Sequence, residues 1–336
     1  MIPNILGYYS LTNYSVQQVN VGLVHETYLI KADEGDFILQ RLNRIFDDKV
    51  IKNVDSVSNY LNQHYFLAQT VIKTITGYLG VDPKWGCDKR WWRLLSYVPG
   101  RVFEKAESDD MVYSCGIILG KFHCLMRGYH GELDPGRRVH DTCRHFELFK
   151  EKVLVGSGSE IDSLCNTILE IPNLLLPTDL KVEITHGDPK ISNIVFANHA
   201  VAECLIDLDG CNRQNNIFIE LGDAFRSWCN VGYEDGISNL FDLNKFKAGW
   251  SGYLEVCGSD FDSERRLLVP RAIKLITLEL ASRFLRDYFE DFYFGWDSSR
   301  YRSRKDHNLA RAKGQIALFN DICAKDSDLL RILGCA

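Results

Sequence analysis

The sequence lacks three features that would assign it to common classes of protein. No apolar run is long enough to cross a membrane, and residues 1–7 lack the basic and apolar parts of a signal peptide. Positive charge is not in excess, since 39 Lys and Arg face 45 Asp and Glu, which argues against nucleic acid as a partner. The 11 cysteines include no C-x-x-C pair, so we expect neither a zinc site nor a disulfide framework. We therefore expect a cytoplasmic protein without membrane or nucleic-acid partners.

The composition is that of a globular protein, with 46% hydrophobic and 25% charged residues over 336 positions. Strand-like segments occur at residues 14–18, 27–31 and 37–41, and a helical pattern follows at 47–65. Further helices are predicted from an N-cap at Asp141 or Thr142, and at residues 111–126, 159–170, 222–230, 243–257, 263–289 and 308–323. We predict an α+β fold with two lobes. The small mixed α/β N-lobe (1–97) would hold an antiparallel sheet, and the larger C-lobe (98–336) would be mostly helical.

The segments H-G-D-P-K-I-S-N at 186–193 and L-I-D-L-D at 205–209 contain the residue types of a phosphoryl-transfer site in the order such a site needs. Protein kinases use H-R-D-x-x-x-x-N followed by D-F-G. By this pattern Asp188 would accept the proton of an attacking hydroxyl, and Asn193 and Asp207 would hold Mg²⁺ against the phosphates of ATP. Oxygen ligands of this kind suit a hard cation.

Context separates this prediction from the alternative that Asp188 is only a turn residue. Apolar strand-like segments at 182–185, 194–196 and 201–206 would place both motifs at neighbouring strand ends. Lys190 would stabilise the transferred phosphoryl group, or it is a solvated loop lysine. Asp209 would bind a second metal ion, or it only braces the loop.

In the N-lobe, the nucleotide-binding residues are less clearly marked. The loop at 19–26 contains Gly22 and leads to Thr27, and we interpret it as the loop over the ATP phosphates, although a plain hairpin turn has the same pattern. Gln40 and Arg41 stand where kinases have a strand lysine, and the following helix contains no Glu. Arg41 would grip phosphate with two N–H groups, or it is a surface arginine.

The last strand of the N-lobe is predicted to run into a hinge. Residues 91–98 are followed by Pro99-Gly100, which ends the strand. Backbone groups near Tyr97 and Val98 would then hydrogen-bond the adenine ring of ATP.

The two motifs resemble those of the aminoglycoside phosphotransferase/choline kinase-like superfamily, and most of all its N-acetylhexosamine 1-kinase group. Further matching blocks lie at residues 37–43, 221–227, 283–288 and 308–315. The resemblance implies a protein-kinase-like two-lobed fold and an ATP- and Mg²⁺-dependent kinase. It also implies a small-molecule sugar substrate, phosphorylated at its anomeric hydroxyl, and a monomer or weak homodimer.

The resemblance and the residue types together suggest the substrate-binding positions. In the resembled superfamily the Asp at 223 helps to build the catalytic loop and the Arg at 226 faces the acceptor, although a helix cap and an exposed arginine would give the same pattern. Arg283 and Asp287 would line a sugar pocket, or they form a surface ion pair at i and i+4. The remaining candidate substrate residues are Tyr288, His140, Asp141 and Arg144.

Two alternatives to a sugar kinase stay open at the level of sequence. The acceptor could be an aminoglycoside, choline or homoserine, although Arg226 and Arg283 favour a neutral or anionic acceptor over a polycation. The missing strand lysine and helix glutamate also fit a non-catalytic kinase-like binding protein. Against that alternative stands the complete set of base and metal-binding residues.

Overall fold

A five-stranded antiparallel sheet forms the N-terminal part of the fold. The computed structural model describes residues 1–19, 24–85, 89–136, 138–153 and 158–335. The strands are hydrogen-bonded in the order β1-β2-β3-β5-β4. Their bounds are Ser15–Val19 (β1), Glu26–Ala32 (β2), Gly35–Arg41 (β3), Val71–Ile72 (β4) and Trp92–Ser96 (β5).

Helices cover both faces of this sheet. The short helix α1 (Ile2–Leu6) packs on the outer face in a cluster with Ile30, Leu39, Trp92 and Leu94. Between β3 and β4 lies α2 (Asp48–Gln63), which begins at an N-cap where the Asp47 side chain accepts the Lys49 N–H. Its apolar positions, spaced three or four residues apart, turn toward the main core of the protein. The sheet is thereby joined to the rest of the chain.

The remainder of the chain is mostly helical. Its helices are Asp109–Met126 (α3), Thr142–Lys152 (α4), Ser159–Ile168 (α5), Ile171–Leu174 (α6), Ile217–Trp228 (α7), Leu243–Cys257 (α8), Ser263–Glu290 (α9), Arg304–Ala324 (α10) and Asp326–Ile332 (α11). The long helix α9 lies at the centre and contacts α4, α7 and α10. Helix α3 packs closely against α8, and a Cβ atom on Gly116 would lie 2.1 Å from the Gly249 carbonyl oxygen. The absent side chain is therefore what permits this approach.

Two short pairs of antiparallel strands flank the predicted catalytic segments. Strand β6 (Glu183–Thr185) pairs with β9 (Asn212–Asn215), and β7 (Ile194–Phe196) pairs with β8 (Ala202–Leu205), both antiparallel. The segment 186–193 connects β6 to β7, and the segment 206–211 connects β8 to β9. The two connections therefore lie side by side, as the strand-like patterns predict.

The structure departs from the sequence prediction mainly in short elements and element ends. The elements α1, α6, α11, β4 and β9 are absent from the prediction because they are too short for a hydrophobic period to show. The helix predicted at 222–230 begins at Ile217, where Asn216 accepts the N–H groups of Phe218 and Ile219. The predicted lobe boundary after residue 97 falls just beyond β5.

The expectations about membrane-spanning segments and cysteines can be compared with the described part of the chain. None of its helices is long and apolar enough to cross a membrane. The ten cysteines described there are free thiols, and most are buried.

Candidate active site

Backbone geometry determines the position of Asp188 at the loop after β6. Gly187 has φ of +90°, and a Cβ atom there would lie 2.5 Å from the Gly210 carbonyl oxygen, so glycine is required. The N–H groups of His186 and Gly187 donate to the Glu220 carboxylate at 2.8 and 3.1 Å. Glu220 lies on α7 and is buried, and these charge-assisted bonds offset the cost of burying it. A carboxylate from a later helix thus fixes the backbone that carries Asp188.

The side chain of His186 links this loop to the end of β8. Its Nε2 lies 3.0 Å from the Ile206 carbonyl oxygen and must donate, which leaves Nδ1 to accept the Asp188 N–H at 3.4 Å. From α7, the Trp228 indole N–H donates to the Pro189 carbonyl oxygen at 2.8 Å. The catalytic loop, β8 and α7 are therefore joined by hydrogen bonds into one unit.

The structure brings Asp188, Lys190 and Asn193 together. Lys190 Nζ lies 2.5 Å from Asp188 Oδ2, and Asn193 Nδ2 donates to the same oxygen at 3.0 Å and to the Asp188 carbonyl oxygen at 2.8 Å. Burial lowers the pKa of Lys190, but the carboxylates of Asp188 and Asp207 outweigh it and raise the pKa above its usual value. Both described contacts to the Asp188 carboxylate fall on Oδ2, so within the described residues Oδ1 is the oxygen of this carboxylate that makes no such contact.

Asp207 stands at the end of the neighbouring connection in an unusual backbone conformation. Its φ and ψ are 65° and 55°, the left-handed helical region that few non-glycine residues occupy. Burial, together with the charges of Asp209 and Asp188, raises the pKa of Asp207, although His25 and Lys190 partly oppose this. A conformation of this kind persists only where the surroundings hold it.

Asp209 is held by two basic side chains. Its Oδ1 lies 2.6 Å from Arg93 NH1, and its Oδ2 lies 2.8 Å from His25 Nε2. Burial raises the pKa of Asp209, but Arg93 and His25 outweigh it and hold the pKa below its usual range. These contacts match the alternative in which Asp209 braces the loop. Its role as a ligand of a second metal ion stays a prediction, since its carboxylate belongs to the same group of possible ligand atoms as that of Asp207.

The residues around Asp207 fit a divalent cation. Ligand atoms of His25, Asp207 and Asp209 all lie within 4.8 Å of one another. Because His25 and Arg93 take up the Asp209 charge, Asp207 is the carboxylate left for an ion. Asn193 donates through Nδ2, so its Oδ1 remains as a second ligand, and oxygen atoms of this kind are what Mg²⁺ prefers.

The structure corrects the predicted nucleotide-binding roles of Gln40 and Arg41. Gln40 Oε1 accepts from Nε and NH2 of Arg93 at 2.9 and 2.7 Å. Arg41 NH1 donates to both Glu26 oxygens at 2.9 Å, and its guanidinium lies over the Trp92 ring at 5.7 Å. Neither residue is among the described residues that line the cleft, because each side chain is directed at other protein groups.

The other predicted nucleotide contacts have different outcomes. Thr27 lines the cleft, next to His25. Gly22 lies outside the described residues. The Tyr97 N–H donates to a carbonyl oxygen of the sheet, and Val98 is buried against Val195, so neither lines the described cleft wall. Adenine binding at this hinge stays a prediction.

One large cleft of about 1880 Å³ runs between the sheet and the helical region. We call the part lined by Asp188, Lys190 and Asp207 its catalytic end. We call the part lined by Arg226, Arg283, Arg300 and Arg311 its arginine-rich end. The two ends belong to one continuous cleft, since Asp188 and Arg226 both line it.

The predicted substrate residues His140, Asp223 and Arg226 meet in a buried network. Arg226 donates through Nε and NH2 to Asp223 Oδ1 at 3.0 and 2.9 Å. His140 Nδ1 lies 2.9 Å from Glu279 Oε1, and its Nε2 lies 3.7 Å from Asp223 Oδ2. Burial lowers the pKa of His140, but Glu279 and Asp223 outweigh it and raise the pKa to about 10. His140 is therefore a cation at neutral pH.

Three further predicted residues stand on the cleft wall. Asp141 caps α4 by accepting the Arg144 N–H at 3.4 Å, and both line the cleft. Arg283 NH1 lies 3.6 Å from Glu279, and its guanidinium lies over the rings of Tyr293 and Phe294 at 6.0 and 5.6 Å. Arg283 therefore presents a positive charge held in place by aromatic rings.

Asp287 and Tyr288 lie elsewhere than predicted. The Asp287 carboxylate accepts the N–H groups of Phe292, Tyr293 and Phe294 at 3.0, 2.7 and 2.8 Å, and Asn308 Nδ2 at 2.9 Å. It is fully buried, so its role is to hold the loop after α9. Tyr288 packs on Phe289. This corrects the prediction that the two line a substrate pocket, because neither is among the described residues of the cleft wall and the Asp287 carboxylate is saturated by protein N–H groups.

Several cleft and support residues were missed by the sequence analysis. Arg93, Glu220 and Glu234 belong to no motif, and Tyr293 and Trp296 follow a helix end without a recognisable pattern. The only signal in the sequence was a charged residue inside an apolar strand for Arg93, and inside an apolar helix turn for Glu220. Buried charges of this kind are rare unless they are paired.

A small antiparallel sheet, a helical region and a cleft holding a carboxylate, a lysine and an amide define a protein-kinase-like phosphotransferase. A family model described as "Phosphotransferase enzyme family" matches residues 15–245, and the chain belongs to that family. Members of this family are enzymes that transfer phosphate to an alcohol group. The alternative of a non-catalytic binding protein is thereby set aside.

Solved structures share the fold over almost the whole chain. A microcompartment-associated aminopropanol kinase is 18% identical with a TM-score of 0.68, and 97% of each chain is covered. An amicoumacin kinase in complex with AMP-PNP, Ca²⁺ and Ami is 15% identical with a TM-score of 0.64, covering 91% of this chain and 90% of that one. A choline kinase from Cryptosporidium parvum Iowa II is 12% identical with a TM-score of 0.59, covering 99% and 96%. At these identities the likeness concerns the fold alone.

Proposed function

We propose that this small-molecule kinase transfers the γ-phosphoryl group of ATP to a sugar hydroxyl, with the anomeric 1-OH of an N-acetylhexosamine as the first choice. The observation that carries the proposal is the position of the catalytic end. Asp188, Lys190 and Asp207 open into the same cleft as a wall of arginine and aromatic side chains, and the buried Asn193 donates to Asp188 from behind that surface. The amicoumacin kinase structure contains AMP-PNP and Ca²⁺, which supports a nucleotide and a divalent cation for this chain too.

The residues of the catalytic end divide the work of phosphoryl transfer. Asp188 Oδ1 would orient the acceptor hydroxyl and take its proton late, because the transition state is loose and catalysis is mostly positioning. Lys190 would offset the charge of the transferred group. Asn193 Oδ1 and Asp207 would hold Mg²⁺, which supplies charge neutralisation on the phosphates. A hemiacetal hydroxyl is more acidic than an ordinary alcohol, so a carboxylate is a sufficient base.

The arginine-rich end favours a neutral polar acceptor. Arg226 and Arg283 are buried and stand on its wall, where an acceptor with several positive charges would have to displace them from their carboxylate partners. Their charges are matched by Asp223 and Glu279, so the wall offers N–H donors and carboxylate acceptors together. Sugar hydroxyls use both, and the Tyr293 ring adds an apolar surface.

An amino alcohol is the second candidate acceptor. The specific observation in its favour is Glu234, whose side chain is 42% exposed and lines the cleft. Its nearest cations are Arg311 at 3.4 Å and Arg226 at 4.0 Å. Because Glu234 already has two positive neighbours, we rank an ammonium-bearing acceptor below a sugar.

The test is ADP release with ATP and Mg²⁺ over a panel of acceptors. The panel contains N-acetylglucosamine, N-acetylgalactosamine, glucose, galactose, aminopropanol, choline, ethanolamine, homoserine and kanamycin, with Asp188→Asn as the control. Turnover on N-acetylhexosamines that is lost in the control supports the proposal. Faster turnover on an amino alcohol or kanamycin would overturn the sugar assignment and leave the kinase class untouched.

The proposal includes the cellular location and the assembly state of the protein. The described cysteines are free thiols, which suits a reducing cytoplasm. We expect a monomer or weak homodimer acting on a small molecule, and light scattering at several protein concentrations measures this directly.

A further inference from the structure

The sheet contains a buried arginine at a position that no sequence motif predicts. Protein kinases use a lysine on the third strand, paired with a glutamate on the following helix. Here β3 offers Gln40, and α2 contains no glutamate. Opposite Gln40 in the register stands Arg93 of β5, whose side chain is 1% exposed. A charge this deeply buried has to be paired.

The contacts of Arg93 join the sheet to the helical region. Its Nε and NH2 donate to Gln40 Oε1 at 2.9 and 2.7 Å, and its NH1 lies 2.6 Å from Asp209 Oδ1. The second Asp209 oxygen lies 2.8 Å from His25 Nε2. His25 Nδ1 accepts the Asn43 N–H at 3.1 Å, so the ring proton sits on Nε2 and points at Asp209. Arg93 and His25 thus contact the Asp209 carboxylate directly, and Gln40 and Asn43 hold these two side chains by hydrogen bonds.

We propose that Arg93 is a positioning residue for phosphoryl transfer that takes the place of the strand lysine. It holds Asp209, and through the turn that contains Asp209 it holds Asp207 in position for the divalent cation. Arg93 does this without touching the nucleotide.

The backbone between the two carboxylates transmits the effect. Asp207 has a left-handed conformation and leads directly into the short 3₁₀ turn Leu208–Gly210 that contains Asp209. Such a conformation is strained and needs contacts nearby to hold it. Asp209 supplies them, because the turn cannot unwind without breaking its ion pair with Arg93 and its hydrogen bond with His25.

Charge balance gives a second reason. Ligand atoms of Asp207 and Asp209 lie within 4.8 Å of each other, where two uncompensated carboxylates would repel. With Arg93 and His25 on Asp209, the charge of Asp207 remains for the cation. Arginine suits this position better than lysine because its planar fork reaches two acceptors in fixed directions. Here three of its N–H-bearing nitrogens are engaged by Gln40 and Asp209.

The experiment measures ATP binding by calorimetry in the full-length protein, with Mg²⁺ and with EDTA, in the absence of any acceptor. For Arg93→Met we expect the gain in ATP affinity on adding Mg²⁺ to fall about 10- to 100-fold, the range typical of residues that support a metal ligand. ATP affinity in EDTA should stay within threefold of wild type. The absence of an acceptor separates this outcome from any failure of the sugar assignment.

The matched control is Arg271→Met. Arg271 is a partly buried arginine that binds the carbonyl oxygens of Leu174 and Leu175, far from the nucleotide cleft. Its loss should lower the melting temperature and leave the Mg²⁺-dependent gain unchanged. A purely structural role for Arg93 would give the same result as this control, and would contradict the proposal.

Two further variants keep the test decisive. Arg93→Lys retains the charge but loses the fork, and should fold and show a smaller loss, in case Arg93→Met does not fold. The double variant Arg93→Met/Asp209→Asn removes the carboxylate that Arg93→Met alone leaves buried and unpaired. We expect it to recover stability but not the Mg²⁺-dependent gain in ATP affinity. Equal loss of ATP affinity with Mg²⁺ and with EDTA in Arg93→Lys or Arg93→Met would mean direct nucleotide contact. That outcome, or an unchanged Mg²⁺-dependent gain in both, would overturn the proposal.

Discussion

At the catalytic end of the cleft, the functional groups come from one stretch of chain, residues 186–209, on two adjacent strand connections. At the arginine-rich end they come from α7, α9, α10 and the loop between α9 and α10, so they span a much longer stretch of sequence. The first end needs a fixed geometry for one reaction, so its residues sit on a rigid hairpin pair. If the second end binds the acceptor, as we propose, its assembly from several helices lets each surface vary independently to match that acceptor.

The two ends also differ in how their charges are held. Asp188 rests on a backbone that Glu220 holds by two N–H groups, and its carboxylate is bound by Lys190 and Asn193 through one oxygen only, as far as the described contacts go. At the other end, Arg226 and Arg283 are themselves paired with Asp223 and Glu279. We therefore expect changes at the catalytic end to lower kcat, and changes at the arginine-rich end to raise the acceptor KM.

The largest effect is expected for Asp188→Asn. Removing the base should lower kcat by about 10²- to 10⁴-fold, the usual contribution of a positioned proton acceptor. The acceptor KM should change little, because asparagine keeps the size and the hydrogen bond. Steady-state ADP release measures both. A KM effect larger than the kcat effect would show that Asp188 binds the acceptor without serving as the base.

Glu220→Gln should lower both stability and kcat. The amide can accept only one of the two N–H groups of His186 and Gly187 well, and we expect a loss of about 2 kcal/mol in the free energy of unfolding. Urea denaturation measures it. Asp328→Asn, in an exposed ion pair with Arg331, is the control and should shift stability by less than about 0.5 kcal/mol. Equal effects of the two would refute the supporting role of Glu220.

The raised pKa of His140 predicts that the stability of the protein depends on pH. Its pKa rises from an ordinary 6.5 to about 10 on folding, so its stabilisation is complete below pH 6.5 and is lost as the pH rises toward 10. We expect the stability difference between wild type and His140→Gln to shrink by about 4 kcal/mol between pH 6.5 and 10. Denaturation at several pH values measures it. A difference that stays constant would mean that His140 is neutral throughout.

The smallest effect is expected for Arg283→Met. Losing one charged donor on the cleft wall should raise the acceptor KM about tenfold, which corresponds to about 1.4 kcal/mol. The kcat should change less than threefold. Arg286→Met, on the same helix but not among the described cleft residues, is the control. If both variants had the same KM, the arginine-rich end would not be the acceptor site.

The sequence predicted local features well and distant pairings poorly. Asp188, Lys190 and Asn193 lie within six positions of each other, so the spacing itself indicates their proximity. Arg93 and Gln40 are far apart in the chain and meet only because β3 and β5 are neighbours in the sheet. Nothing in the local pattern of β5 reveals that neighbour.

Two corrections have the same physical origin. Gln40 and Arg41 have the residue types that bind phosphate, but the register of the sheet directs them to Arg93 and Glu26. Asp287 has the residue type that binds sugar hydroxyls, but the chain turns back after α9 and saturates it with N–H groups. The chemistry of a side chain follows from its residue type, but the group that it contacts in the folded protein does not.

The sequence by itself determined the class of fold, the order of the catalytic parts and the approximate positions of the longer helices. Hydrophobic period and local spacing carry these features, and both are properties of neighbouring residues. Only the tertiary structure decided that Glu220 supports the catalytic loop, that Arg93 holds Asp209, and that Asp287 is buried. Burial and the pairing of charges decide such roles, because the cost of an unpaired buried charge depends on groups that folding brings from elsewhere in the chain.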